Sequence, residues 1–228
     1  MNLAEELIEE LNCEVVFTLH VGSIEIPVME SVVVTWIVMG ILILLSVFLT
    51  TGLRTQNISK KQACAEFIYE KLTSMVGGML GEEAKQYSGY LITVLLYIGL
   101  SNIIGLIGFK SPTKDLNVTI ALAVMSIILV EGAGIYQHGV RKWLKNFTKP
   151  VAIVTPFNIL DVFTRPLSLC MRLFGNVLGA FVIMELLKIV CPPVIPAIFS
   201  VYFDLFDGLL QAYVFVFLTS LYIKEAVE

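Results

Sequence analysis

Two stretches near the C-terminal end of this chain carry ionisable side chains inside otherwise apolar sequence. Asp161, Arg165, Arg172, Glu185 and Lys188 stand in residues 157–190, and Asp204, Asp207 and Gln211 stand in residues 197–223. At 100° per residue, Asp161, Arg165, Ser168, Arg172, Gly175, Asn176 and Gly179 fall along one helical stripe. Small and polar residues therefore flank Arg172 on its own face, and no acid three or four positions away neutralises it. A guanidinium near a bilayer centre costs about 2.5–3.5 kcal/mol on the insertion scale, so it marks a function unless a fixed ion pair to another helix explains it. Glu185 and Lys188 are three apart, and a local helical pair accounts for them without function. Asp204, Asp207 and Gln211, at i, i+3 and i+7, share a face beside Gly208; the bland alternative is that both acids pair with cations on a neighbouring helix or lie at an interface. Two carboxylates and an amide make a hydrated stripe, and opposed polar faces on the two stretches make a path. No Ser/His, paired-His or H-E-x-x-H arrangement offers bond chemistry.

The elements that must hold these residues follow from composition. The chain has 228 residues, 57% of them hydrophobic and only 15% charged, with a mean hydropathy of +0.86. That predicts a polytopic, all-α integral membrane protein whose solvent is the lipid bilayer. A net charge of -4 offers no basic surface for nucleic acid. Cys13, Cys64, Cys170 and Cys191 are far apart and form no C-x-x-C pair, which suggests neither a disulfide framework nor a zinc site. His20 and His138 cannot supply paired haem ligands, so no metal or cofactor is expected. Residues 1–12 carry Glu5, Glu6, Glu9 and Glu10 where a cleavable signal needs positive charge.

About five transmembrane helices are expected in one membrane domain. Residues 1–31 form an extracytoplasmic N-terminal segment, and 32–50 the first span. Residues 59–86 mix charge with Phe67, Leu72, Met75 and Leu80, a pattern for a cytoplasmic amphipathic helix or a solvated connector. Residues 87–109 and 117–137 make a helical hairpin joined by KSPTKDLN, where Pro112 and Asp115 favour a turn. Glu131 within the hairpin either lines a wet path or snorkels. Arg54, Lys60 and Lys61, and the acid-free loop with Arg141, Lys142, Lys145 and Lys149, place the N-terminus outside and the C-terminus in the cytoplasm. Residues 157–190 would extend ~50 Å as a helix against a ~30 Å hydrocarbon core, so this helix must tilt, curve or run partly flat. With 197–223 it forms a tilted antiparallel hairpin about CPPVIP, which brings Gln211 to a depth near Arg172.

The string PFNILDVFTRPLSLCMRLFGNVLGA at 156–180 resembles the signature of the a subunit of F-type ATP synthases, in which S-L-x-x-R-L-F-G-N surrounds an essential arginine. PTKDLNVT at 112–119 and LLQAYVFVFLTSLYI at 209–223 support it. The resemblance implies a stator subunit with two half-channels that pass H+ or Na+ to and from a rotating c-ring, coupling ion flow to ATP synthesis without itself being an enzyme. It implies that Arg172 faces the ring as a barrier charge, that Asn176 lines an ion path, and that Gln211 sits close to the arginine. The family usually has a carboxylate or histidine five residues after the asparagine; this chain has Phe181 there, and Asp204 seven before the glutamine. Glu185, one turn beyond Phe181, would take over the polar role. Peripheral-stalk b subunits are the other implied partners, and a bacterial plasma (inner) membrane is the expected location. An ion-coupled secondary transporter, or the stator of another ion-driven motor, is the alternative.

Overall fold

The computed structural model describes residues 15–21, 24–53, 59–82, 84–107, 111–141, 143, 155–190, 196 and 199–227. Two antiparallel strands, β1 (Val15–Val21) and β2 (Ile24–Met29), pair Val15 with Met29 and Val21 with Ile24. Six α-helices follow among the described residues: α1 (Glu30–Thr50), α2 (Lys60–Leu80), α3 (Ser88–Ile103), α4 (Leu116–His138), α5 (Thr155–Val190) and α6 (Gly208–Val227). A π-helical turn, Val201–Asp207, leads directly into α6. Among the described residues, five stretches are long and apolar enough to cross a membrane: Glu30–Thr50, Lys85–Leu106, Leu116–His138, Thr155–Lys188 and Val201–Val227. This agrees with the all-α, five-span class read from the sequence. The strand pair was not foreseen.

Local chemistry sets the helix ends. The Ser59 hydroxyl accepts the Gln62 backbone N–H at the start of α2, and Gly81, with φ of 76°, ends it. Between α3 and α4, Pro112–Lys114 form one 3-10 turn, and the Asp115 carboxylate accepts the Asn117 N–H to start α4. Helix α5 runs unbroken for 36 residues, ~54 Å at the α-helical rise. Pro166 lies inside it and leaves the Val162 carbonyl without its helical donor, a local point of bending.

Helices α3, α4 and α6 form the centre of the bundle, α5 leans mainly on α4, and α1 packs against α3 at the edge. Leu91, Val94 and Ile98 of α3, Val130 of α4, Leu169 and Leu173 of α5, and Phe215, Val216 and Ile223 of α6 are buried together. The buried set also holds Ser101, Asn102, Thr113, Thr119, Ser126, Gln211, Thr219 and Ser220, whereas Leu44 of α1 is 71% exposed. Polar side chains inside and large apolar ones outside is the arrangement that hydrocarbon solvent selects. Hydroxyls join the helices accordingly: Thr35 to Tyr97 at 3.1 Å, Tyr90 to Ser126 at 3.2 Å, and Ser31 to the Asp115 carboxylate.

Two expectations change in detail. The last span was read as one helix over 197–223; its N-terminal part winds as the π turn, and the α-helix continues to Val227. In α2, Leu80 is buried and Met75 packs against the core, but Phe67 is 62% exposed. Thirteen residues at 100° leave Phe67 and Leu80 about 140° apart, so one surface cannot cover both.

Candidate ion-translocation site

Helix α5 is two-faced about its midpoint. Leu169, Cys170 and Leu173 are buried, while Asp161, Ser168, Arg172, Gly175 and Gly179 are exposed on the other side, and Asn176 stands at the edge between the two. Arg165 alone on that stripe is partly covered: its guanidinium donates to the Glu225 carboxylate at 2.8 Å and sits 5.0 Å from the centre of the Tyr222 ring. Arg172 has no hydrogen bond or ion pair among the described residues. Among the described residues, no side chain apart from the adjacent ones stands within 4 Å of a Cβ placed at Gly175 or Gly179, so the flank of the guanidinium is open for close approach by another helix.

The pairs Arg165 with Glu225 and Asn176 with Gln211 show α5 and α6 running antiparallel, one index rising as the other falls. The Asn176 amide donates to the Gln211 Oε1 at 2.6 Å. Gln211 thus meets Asn176, one turn along α5 from Arg172, rather than Arg172 itself. Its side chain is 2% exposed, and its Nε2 has no partner among the described residues. A buried amide donor without an acceptor costs about 1–3 kcal/mol, so this one favours a water or an anionic oxygen beside it.

Beside that amide lies a cleft of about 240 Å³. Asn176, Phe181, Glu185 and Lys188 of α5 line one wall, Asp207, Gly208 and Gln211 another, and Asn102, Ser111 and Lys114 a third. Glu185 is paired with Lys188 and only 15% exposed at its side chain. The Lys114 ammonium lies 3.3 Å from the centre of the Phe181 ring. A cation on an aromatic face therefore occupies the place where the resemblance led one to expect an acid or histidine. Carboxylates, amides and ammonium groups around a space large enough for several waters can relay protons or hold a partly hydrated cation.

Of the sequence candidates, Asn176, Glu185, Asp207 and Gln211 come together in this cleft, while Arg172 and Ser168 lie on the open face of α5. Asp204 falls in the π turn, and its side chain lies outside the described residues. Glu131 neither lines this cleft nor points freely outward, since it accepts the Trp143 indole N–H at 2.9 Å. Sequence reasoning missed Asn102 and Lys114. A polar amide inside the apolar run 87–109 was the available signal for the first; the second becomes visible only once the turn before α4 is packed against α5.

The family model for the ATP synthase A chain matches residues 32–224. The chain is 34% identical over 223 residues to "ATP synthase subunit a, sodium ion specific" of Propionigenium modestum, covering 90% of this chain and 76% of that one. It is likewise 34% identical over 210 residues to ATP synthase subunit a of Moorella thermoacetica, with 92% and 94% covered. Against ATP synthase subunit a 2 of Acaryochloris marina the identity is 34% over 198 residues, with 86% and 84% covered. The matched region reaches into each of the five apolar helices among the described residues and takes in the arginine-bearing face of α5, and the chain is a multi-pass integral membrane protein of the ATP synthase A chain family.

Proposed function

We propose that this chain is the non-catalytic ion-channel subunit of a rotary ATP synthase, a stator that exchanges H+ or Na+ with a rotating c-ring through two separate half-channels. The observation that carries the reading is Arg172: exposed, without a partner in its own chain among the described residues, and flanked by glycines that admit a neighbouring helix. A guanidinium keeps its charge when desolvated and gives up no proton, so it blocks a continuous cation path between the half-channels. It also attracts an ionised ring carboxylate by about 4 kcal/mol at 4 Å and an effective dielectric near 20, enough to capture it transiently. The membrane field, at about 2.3 kcal/mol per charge per 100 mV, supplies the work.

One half-channel is the cleft, in which Asn176, Glu185, Asp207 and Gln211 pass the ion along. Ser168 and Asp161 flank the other, on the opposite side of Arg172. The N-terminus lies outside a bacterial plasma (inner) membrane, and the C-terminus and α2 at its cytoplasmic side, as the basic residues at 141–149 require. Peripheral-stalk b subunits hold the chain against the torque of the ring. Sodium specificity in the name of the Propionigenium relative keeps Na+ beside H+ as the coupling ion.

Reconstituted vesicles test the reading. Arg172→Ala abolishes ATP-driven ion pumping and leaves a passive leak of the same ion. Full coupled pumping in that variant would overturn the assignment.

A further inference from the structure

We propose that Asn102 is a positioning residue of the ion path, holding the junction where π winding gives way to α winding so that Asp207 and Gln211 both face the cleft. The inference rests on the ion-channel reading above and adds a residue from α3 to it.

Hydrogen bonds fix Asn102 at both ends of its amide. Nδ2 donates to the Gly208 carbonyl at 2.9 Å, and Oδ1 accepts the Thr113 hydroxyl at 2.8 Å. Thr113 in turn accepts the Ser111 hydroxyl at 2.7 Å. The side chain is thus tied to α3, to the turn before α4 and to α6, and it is only 4% exposed. Its second restraint is steric. A Cβ at Gly208 would come within 2.7 Å of the Asn102 Cβ, so α3 and α6 touch here only because position 208 has no side chain.

The consequence lies in helical phase. Gly208 is the residue at which the π turn Val201–Asp207 ends and α6 begins, and its N–H reaches back to the Leu205 and Phe203 carbonyls. Asp207 and Gln211 lie on either side of it, four residues and about 40° apart on the helix, so any turn of α6 about its axis moves both together. Such a turn would take Asp207 and Gln211 off their common wall of the cleft. A side chain that grips the junction from a different helix prevents that rotation, and Asn102, Asp207, Gly208 and Gln211 all border the same space.

The test uses the whole ATP synthase in membrane vesicles, with passive ion flux measured after removal of the catalytic sector. Asn102→Leu keeps the volume and removes the donor. The expected result is assembly within twofold of the unaltered complex, but an about tenfold rise in the H+ or Na+ concentration giving half-maximal flux, with maximal flux changed less. An unshifted half-saturation overturns the proposal, whether the complex is present in normal amount or, as for a packing residue alone, merely depleted. Asn102→Asp, closest in shape, is read by the same criterion if Asn102→Leu does not assemble. Arg172→Ala runs alongside: if it still pumps, the ion-channel reading itself falls, whereas loss of pumping there with an unshifted Asn102 variant removes only the role of Asn102.

Discussion

Replacing Gly208 by alanine asks α3 and α6 to separate at their closest approach. The new methyl would lie 2.7 Å from the Asn102 Cβ and 3.4 Å from its Cγ and Nδ2, where ordinary contact begins near 3.4 Å. The Asn102 Cβ is anchored to the backbone of α3 and cannot swing aside, so the helices themselves must move. Overpacking of this kind costs about 1–3 kcal/mol. Displacement also stretches the 2.9 Å bond from Asn102 to the Gly208 carbonyl, and an orphaned buried donor adds about 1–3 kcal/mol. The gain in helix propensity of alanine over glycine returns only about 1 kcal/mol. Gly208→Ala is therefore expected to destabilise the chain by about 1–5 kcal/mol. Gly99→Ala, whose Cβ would meet the Leu209 side chain at an ordinary 3.5 Å, should be neutral or slightly stabilising. Steady-state amount in the membrane and resistance to unfolding in a graded detergent titration are the assays. Combining Asn102→Gly with Gly208→Ala removes the clash and should recover much of the lost amount. Equal behaviour of Gly208→Ala and Gly99→Ala would refute the reasoning.

Other substitutions separate function from packing. Glu185→Gln should lower ATP-driven ion pumping several-fold while leaving the amount of assembled complex unchanged, because the carboxylate borders the cleft but holds no helix in place; unaltered pumping would remove Glu185 from the path. Glu225→Gln breaks the pair with Arg165, but Glu225 is 60% exposed at its side chain, so a stability change of no more than about 1 kcal/mol is expected in thermal unfolding. Phe181→Leu takes the ring from beneath the Lys114 ammonium and should cost about 0.5–2 kcal/mol in the same assay. A loss well beyond that would mean that the ring carries more of the packing than the contact with Lys114 suggests.

Hydropathy alone was enough to place the five apolar helices, since a ~30 Å hydrocarbon layer demands runs of that length and leaves little choice of where they stand. Arg172 was conspicuous for the same reason, being a charge without a neutralising neighbour in an apolar run. What single-helix geometry could not supply was phase and tertiary contact. The wheel that set Asp204, Asp207 and Gln211 on one face assumed 100° per residue, and the π turn over Val201–Asp207 breaks that assumption. Gln211 meets Asn176 and not Arg172 because the stagger of α5 on α6 depends on side-chain packing and on how the chain turns between them. Lys114 reaches Phe181 across 67 positions of sequence, a contact that no local pattern encodes. The strands at Val15–Val21 and Ile24–Met29 did leave a signal, two runs rich in β-branched residues separated by Gly22 and Ser23, but charge and hydropathy drew attention elsewhere.

Cysteine cross-linking in the assembled complex asks most directly whether the open face of α5 meets a rotor. In a chain whose four native cysteines are replaced by serine, single cysteines at Ser168 and Gly175 on the Arg172 face should form disulfides with a cysteine on the outer helix of the c-ring. Leu169→Cys and Leu173→Cys, on the buried face, should form none. Ring cross-links from the buried positions, or none from Ser168 and Gly175 in a complex that still pumps, would mean that Arg172 does not face the ring.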